Sequence, residues 1–276
     1  MDASLFRYGL KLSQTLDRRF GKRTIAAKMT DVPGHTRAMV PLLAEAGINF
    51  LHIGVNEAAT PPDVPSLFVW QDESGADVMV MYQHAYGEAM VLPGLSDGLA
   101  FGFTNDNLGP QSPEQIQAIF HSIQKEFPGA HVQASTLDAY ATALLRIKSQ
   151  LPIVTGEIGD TWIHGVGTDP GKVSRYRALC RLRTGWLADT SIRLDDQLLV
   201  EFSHRLLCVP EHTWDLDEKT HLDDYQQYGQ EAFQATRTKP SFLKMESSWT
   251  EQRAYIWIEP SKVWEKPPLP RKPATI

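Results

Sequence analysis

The sequence has few cysteines, no long apolar run and no excess of positive charge. Its 276 residues include two cysteines, Cys180 and Cys208, which lack the spacing of a metal knuckle or redox motif. We therefore expect free thiols, as in a reducing compartment. No apolar run reaches the roughly eighteen residues of a membrane span, and the N-terminus lacks the apolar stretch of a signal peptide. A net charge of −6 disfavours nucleic acid as a partner. We expect a cytoplasmic protein that binds neither membranes nor nucleic acids.

Several sequence motifs of common enzyme classes are also missing. The chain has no phosphate-binding glycine loop, no dinucleotide-binding glycine motif and no serine-hydrolase elbow. A hydrophobic content of 42% with 22% charged residues is ordinary for a globular protein, so the length predicts one or two domains.

Short apolar runs alternate with helical patterns along the first half of the chain. The runs that predict strands lie at 24–29, 48–55, 67–70, 77–82, 99–103, 131–134 and 151–155. Helical patterns between several of them, such as the one that Ser112 caps and Pro113 begins, indicate crossover connections and a largely parallel sheet.

The pattern changes to a mainly helical one after residue 156. Helices are predicted at 172–187, 193–207 and 221–235, followed by a short strand at 254–258 and a disordered Pro/Lys tail from residue 266. We therefore predict an α/β domain over residues 1–185 and a helical segment over residues 186–276.

The first candidate for chemistry is the segment from Asp31 to His35, which directly follows a predicted strand. Ligands of parallel α/β folds bind beyond the carboxyl ends of the strands. Asp31 could be a nucleophile, a general base or a metal ligand, and His35 a ligand, a substrate contact or a proton shuttle. The alternative is a plain turn in which Asp31 caps the next helix.

A second loop combines carboxylates, a histidine and a tryptophan after the predicted strand at 151–155. It contains Glu157, Asp160, Trp162 and His164 among several glycines. A sugar-binding cleft uses an aromatic face for stacking and carboxylates for hydrogen bonds or proton transfer. The alternative is an ordered loop in which Asp160 binds local amides and Trp162 packs on the core.

Two further segments are weaker candidates. His212 and Trp214 lie between predicted helices, in what could equally be a solvated loop. Asp106 follows the predicted strand at 99–103 and offers a substrate contact, although Asn-Asp-Asn is also ordinary turn chemistry. Tyr82, His84 and Tyr86 could line the same cleft, whereas His52 is expected to be a hydrogen-bonded core residue.

Four of these segments carry a family resemblance. The stretches 26–36, 49–56, 156–165 and 211–214 resemble domain of unknown function family 5054, which is similar to the α-mannosidases of glycoside hydrolase family 38. In those mannosidases the Asp of an Asp-Pro-Phe-Gly-His segment is both nucleophile and zinc ligand. The sequence Asp-Val-Pro-Gly-His, which begins at Asp31, is similar.

The resemblance implies a fold and a mechanism. The fold would be an incomplete (β/α)7-type barrel of the glycoside hydrolase/deacetylase class, followed by the helical segment. Asp31 and His212 would bind zinc, Asp31 would attack the sugar, and Asp160 or Glu157 would act as acid and then base in a retaining reaction.

One departure from the relatives limits this expectation. They begin with a strand whose His-x-Asp motif binds the metal, but residues 1–30 contain no histidine, and their only acids are Asp2 and Asp17. We therefore expect the chain to begin after the first barrel strands, so that a partner or a missing segment would complete the barrel. A zinc site reduced from four ligands to two would bind the metal weakly.

Three functions remain open at this point. The leading one is a metal-dependent carbohydrate-active hydrolase, a glycosidase similar to the α-mannosidases, or an inactive fragment of one. A deacetylase-like zinc hydrolase is the second. The third is a carbohydrate-binding remnant that keeps Trp162 and Trp214 as stacking surfaces. The expected substrate contacts are His35, Trp162, His164, Asp106 and Trp214.

Overall fold

The computed structural model describes residues 1–32, 34–103, 109–161, 169–189, 197–210 and 229–256. The chain divides into two compact units, one of residues 10–163 and the other of residues 1–9 with 164–276. This division precedes the predicted boundary at residue 185, which lies inside the continuous helix Pro170–Ala188.

The unit of residues 10–163 contains a five-stranded, mostly parallel sheet. Its strands are β1 (Ala26–Thr30), β2 (Phe50–Val55), β3 (Leu67–Gln71), β4 (Asp77–His84) and β5 (Ile153–Val154), in the order β1-β2-β4-β3-β5. Strands β1, β2 and β4 are parallel to one another, β3 is antiparallel to β4, and β5 is parallel to β3. The predicted mixed α/β class is therefore confirmed. The described strands leave β1 and β5 at the two edges of the sheet, and the barrel stays a prediction.

Helices cover this sheet because its central strands are apolar on both faces. All six residues of β2 are buried. The 3-10 turn Arg37–Met39 and helix α2 (Val40–Glu45) connect β1 to β2. On one face, Phe50 and Met81 join a core with Tyr140 and Leu144 of helix α4 (Leu137–Leu144). Helix α3 (Pro113–Glu126), also in this unit, has the predicted Ser112 cap with Pro113 in its first turn.

The unit of residues 1–9 and 164–276 is helical in its described part. Helix α1 (Ala3–Phe20) begins in this unit, and the other helices are α5 (Pro170–Ala188), α6 (Gln197–Cys208), α7 (Gln230–Thr236) and α8 (Pro240–Ala254). Its core includes Leu5, Tyr176, Phe202 and Leu206. Cys180 and Cys208 are free thiols on α5 and α6, as predicted. No helix in the described ranges is long and apolar enough to cross a membrane.

Several predicted elements are wrong. In place of the strand predicted at 99–103 there is one isolated bridge, between Met90 and Leu99, and 131–134 has no regular structure. The strand predicted at 254–258 begins where helix α8 ends, at Ala254, and residues 257 and 258 lie outside the described part. The helix predicted at 221–235 is described only from Gln230.

Candidate functional site

The three parallel strands β1, β2 and β4 have their carboxyl ends at the same end of the sheet, and a polar residue follows each of them. Asp31 comes directly after β1, Asn56 directly after β2, and Tyr86 two residues after β4. The registers of β1 with β2 and of β2 with β4 align these strand ends, which brings the three side chains together. All three are partly exposed. The sequence predicted Asp31 at the carboxyl ends of the parallel strands, and the polar cluster forms at this end of the sheet.

These three side chains form a closed hydrogen-bonded triangle. The Tyr86 hydroxyl donates to Asp31 Oδ1 at 2.8 Å, and Asn56 Nδ2 donates to the same oxygen at 3.1 Å and to the Tyr86 oxygen at 3.0 Å. Asn56 Oδ1 accepts from the Ala58 amide at 2.9 Å, so the amide can present only its nitrogen to Asp31. Two donors thus hold one carboxylate oxygen in a fixed position.

The backbone around this triangle is strained. Asp31 (φ 57°), Ala85 (φ 57°) and Tyr86 (φ 64°) are the non-glycine residues with positive φ in the described part of the chain. Each such conformation costs about 1–3 kcal/mol and persists only where the surroundings enforce it. Strained residues of this kind cluster at ligand-binding and catalytic sites, so their concentration here supports a functional role.

Gly54 permits the approach of the strained segment to the sheet. A Cβ atom on Gly54 would lie 2.6 Å from the Tyr86 Cα, which is closer than packed atoms come. The Gly54 carbonyl also accepts from the Asp31 amide at 2.9 Å. A glycine at this position therefore allows Tyr86 and Asp31 to meet.

A second polar group lies beside Tyr82 of strand β4. His35 is buried, and neither of its ring nitrogens has a hydrogen-bond partner among the described residues. Its ring stands edge-on to Tyr82, with 6.3 Å between the ring centroids. Burial lowers the pKa of His35, and the charge of Asp160 partly offsets this. Burial and, to a lesser degree, the same carboxylate raise the pKa of Tyr82. The predicted residues His35 and Asp160 are therefore neighbours.

Glu157 takes a different place from Asp160. One of its carboxylate oxygens accepts from the Arg37 amide at 2.6 Å and the other from the Thr36 hydroxyl at 3.4 Å, at the start of the Arg37–Met39 turn. Strand β5 runs antiparallel to β1, so the carboxyl end of β5 lies at the end of the sheet opposite to Asp31. After Glu157 the chain returns to the connection between β2 and β3, where the Thr161 amide donates to the Thr60 carbonyl at 3.2 Å. Glu157 thus stabilises a turn, and Asp160 lies beside His35 and Tyr82.

Five of the predicted site residues cannot be placed. Asp106, Trp162, His164, His212 and Trp214 lie outside the described residues. Asn56 is the partner of Asp31 that the sequence did not single out, although it follows an apolar strand directly.

The described residues do not by themselves make up a zinc site. Such a site takes three or four ligands, and no group of three or more His, Cys, Asp or Glu side chains in the described part could hold a metal ion. Of the two predicted ligands only Asp31 is described, and its Oδ1 accepts from Tyr86 and Asn56.

Comparison with known proteins gives one family match. Residues 166–263 match the model of a family described as Domain of unknown function (DUF5054). The match supports the resemblance to this family for roughly a third of the chain. It includes residues 211–214 but none of the residues around Asp31. No curated protein matches the chain.

Proposed function

We propose that this chain is a carbohydrate-active hydrolase, a glycosidase in which the Asp31 carboxylate attacks the anomeric carbon of a sugar. One observation carries the proposal: Asp31 stands at the carboxyl edge of the parallel strands, in a strained conformation, with Tyr86 and Asn56 donating to one of its oxygens. A nucleophile held in this way needs little reorganisation before attack. The resemblance of the Asp31 segment to the α-mannosidase motif supports the same role. We also propose that the sheet is part of a glycoside hydrolase barrel.

The proposed reaction proceeds in two steps with retention of configuration. In the first, an Asp31 oxygen forms a bond to the anomeric carbon while the bond to the leaving oxygen breaks and an acid protonates that oxygen. In the second, water attacks the same carbon and gives up a proton to the conjugate base, and Asp31 is released. Tyr86 and Asn56 stabilise the Asp31 carboxylate as it departs.

Asp160 is the better candidate for the acid and base. The Glu157 carboxylate is held by the Arg37 amide and the Thr36 hydroxyl, which occupy it in stabilising a turn. Asp160 instead lies beside the buried side chains of His35 and Tyr82.

An aromatic ring beside the triangle supports a sugar as the substrate. Phe103 stands edge-on to Tyr86, with 6.5 Å between the ring centroids, and 49% of its surface is exposed. Exposed rings next to hydrogen-bonding groups bind the apolar faces of sugars.

Hydrolysis of a panel of nitrophenyl glycosides tests the proposal. We expect the wild-type chain to release nitrophenol from at least one glycoside, Asp31→Asn to lose the activity by about a thousandfold or more, and Tyr86→Phe to lose about tenfold to a hundredfold. Asp63→Asn, at an exposed position, is the matched control and should be unchanged. Full activity in Asp31→Asn would sink the proposal.

Zinc remains a separate proposal, with Asp31 and His212 as two of its ligands. We expect bound zinc in the purified chain after dialysis against the trace metal, and its loss in both Asp31→Ala and His212→Ala. Elemental mass spectrometry measures this, and zinc that persists in the double variant would exclude these two ligands.

A further inference from the structure

Lys28 is the charged residue of strand β1, on the same sheet face as part of the candidate site. It pairs in register with His52 of β2, and Thr30 pairs with Gly54, so the side chains of Lys28, Thr30 and His52 point to one face. The other β1 residues are alanine, methionine and threonine. Lys28 is exposed and is the one charged side chain on this strand.

The contacts of the Lys28 ammonium are all with neutral groups. Its Nζ donates to the Thr30 hydroxyl and, at 3.1 Å, to the Tyr86 carbonyl, and it lies 4.9 Å from the centre of the Phe101 ring. No carboxylate in the described part of the chain forms an ion pair with it. An ammonium has three N–H donors, so two hydrogen bonds leave one for a further acceptor.

The surroundings of Lys28 do not balance its charge. Lys28 is an exposed residue, and the partial burial of its side chain against Tyr86 and Phe101 lowers its pKa. The neighbouring His52 is kept neutral by its own burial and, to a lesser degree, by the Lys28 charge, which both lower its pKa. This face of the sheet thus presents an exposed cation beside neutral acceptors, which an anionic ligand can reach and complement.

Tyr86 connects Lys28 to the candidate nucleophile. Its carbonyl accepts from Lys28, and its hydroxyl donates to Asp31 at 2.8 Å. The two charged groups are therefore separated by the length of one tyrosine residue and its two hydrogen bonds. A sugar with its anomeric carbon at Asp31 can place a substituent near Lys28.

We propose that Lys28 binds an anionic group carried by the substrate, so that the site takes an acidic sugar instead of a neutral one. This inference rests on the proposed function, because it assumes that Asp31 faces the anomeric carbon. The anionic group is a carboxylate, as in a uronic acid, or a sulfate, because both offer oxygens to an ammonium.

Rates of covalent labelling at Asp31 test the inference. Fluorinated glycosyl fluorides are applied to the full chain as a neutral hexose, its uronic acid and its sulfated form, and adducts are located by peptide mass spectrometry. We expect the ratio of acidic to neutral labelling rates to fall about tenfold or more in Lys28→Gln relative to wild type. Lys28→Arg should keep the preference, because it keeps the charge. The two acidic reagents distinguish a carboxylate from a sulfate.

The matched control is Lys22→Gln, at an exposed lysine, which should leave the ratio unchanged. Equal slowing of both reagents in Lys28→Gln would overturn the inference, since it would show that Lys28 only positions Tyr86. Faster labelling by the neutral reagent in the wild-type chain would overturn it as well.

A second measurement keeps the two proposals distinguishable. If no reagent labels Asp31, the proposed function fails, and titration of the Lys28 ε-carbon resonance with glucuronate and with inorganic sulfate then decides the inference. We expect either anion to raise the pKa of Lys28, and an unchanged pKa with both would overturn anion binding there.

Discussion

At the scale of single residues, His52 shows how a buried side chain is kept in one protonation state. The Gln83 amide nitrogen donates to the Glu88 carbonyl at 3.0 Å, so the Gln83 oxygen faces His52 Nε2 at 2.8 Å. Because that oxygen only accepts, Nε2 carries the hydrogen. Burial lowers the pKa of His52 to about 4, a shift that the Gln83 bond opposes and the Lys28 charge reinforces.

The stability of the chain should therefore decrease in acid in a way that depends on His52. The unfolded chain protonates this histidine below its ordinary pKa of 6.5, whereas the folded chain does so only near 4. The contribution is complete above pH 6.5 and is lost as the pH falls toward 4, by about 2–3 kcal/mol. Urea unfolding between pH 7 and pH 4 measures it. His52→Gln should show a smaller pH dependence than wild type, and identical pH dependences would contradict this account.

The sequence indicated Asp31 and named Tyr86 as a residue that could line the cleft, but it did not indicate Asn56, for a physical reason. The end of an apolar strand can be read from the residues themselves, and Asp31 stands directly after one. Which side chains meet Asp31 depends on the register of β1 with β2 and of β2 with β4, and an apolar pattern carries no register. Asn56 is therefore identified only by the structure.

At the scale of elements, one carboxylate attaches helix α4 to the start of strand β1. Asp138 Oδ1 accepts from the Ile25 amide at 2.7 Å and from the Ala26 amide at 2.9 Å. Among the described strands β1 lies at an edge of the sheet, so these two bonds satisfy backbone donors at the start of a strand that has a strand partner on one side only. The strand that positions Asp31 thus depends on α4.

We expect Asp138→Ala to destabilise the fold by about 1–3 kcal/mol, because it leaves two amide donors without their acceptor. A lower urea midpoint with an unchanged slope would report this loss. Asp63→Ala removes an exposed carboxylate and should leave the midpoint where it is. Equal midpoints for Asp138→Ala and wild type would show that the bond does not stabilise the strand.

The success of the element predictions followed the strength of the local signals. Strands β1, β2 and β4 are apolar runs of strand length, and each was predicted. Helix α8 was missed because its described buried residues, Phe242 and Met245, lie among serines, threonines and charged residues. The run at 254–258 predicts a strand because so short an apolar run has no periodicity that would distinguish a strand from a helix.

The direction of β3 could have been predicted from its connection to β4. Only residues 72–76 separate the two strands, whereas a parallel pair needs a crossover of about a dozen residues. Asp72 Oδ1 accepts from the amides of Ser74 and Ala76, which closes a hairpin turn. Because β5 is parallel to β3, it also runs antiparallel to β1. Glu157, which follows β5, therefore comes after the end of the sheet opposite to the end that carries Asp31.

At the scale of the whole molecule, the family match and the candidate site fall in different units. Residues 166–263 carry the match, and the Asp31 triangle belongs to the unit of residues 10–163. The sequence predicted an α/β part followed by helices, and both are present. Closure into a barrel depends on strand pairings that an apolar pattern does not specify.

The position of a covalent glycosyl adduct tests most directly whether Asp31 is the nucleophile. The full chain is incubated with fluorinated glycosyl fluorides of several configurations and then digested for peptide mass spectrometry. The account predicts an adduct on Asp31 that is absent in Asp31→Asn and present in Asp63→Asn. An adduct on another carboxylate, with Asp31 unmodified, would contradict the assignment of Asp31 as the nucleophile.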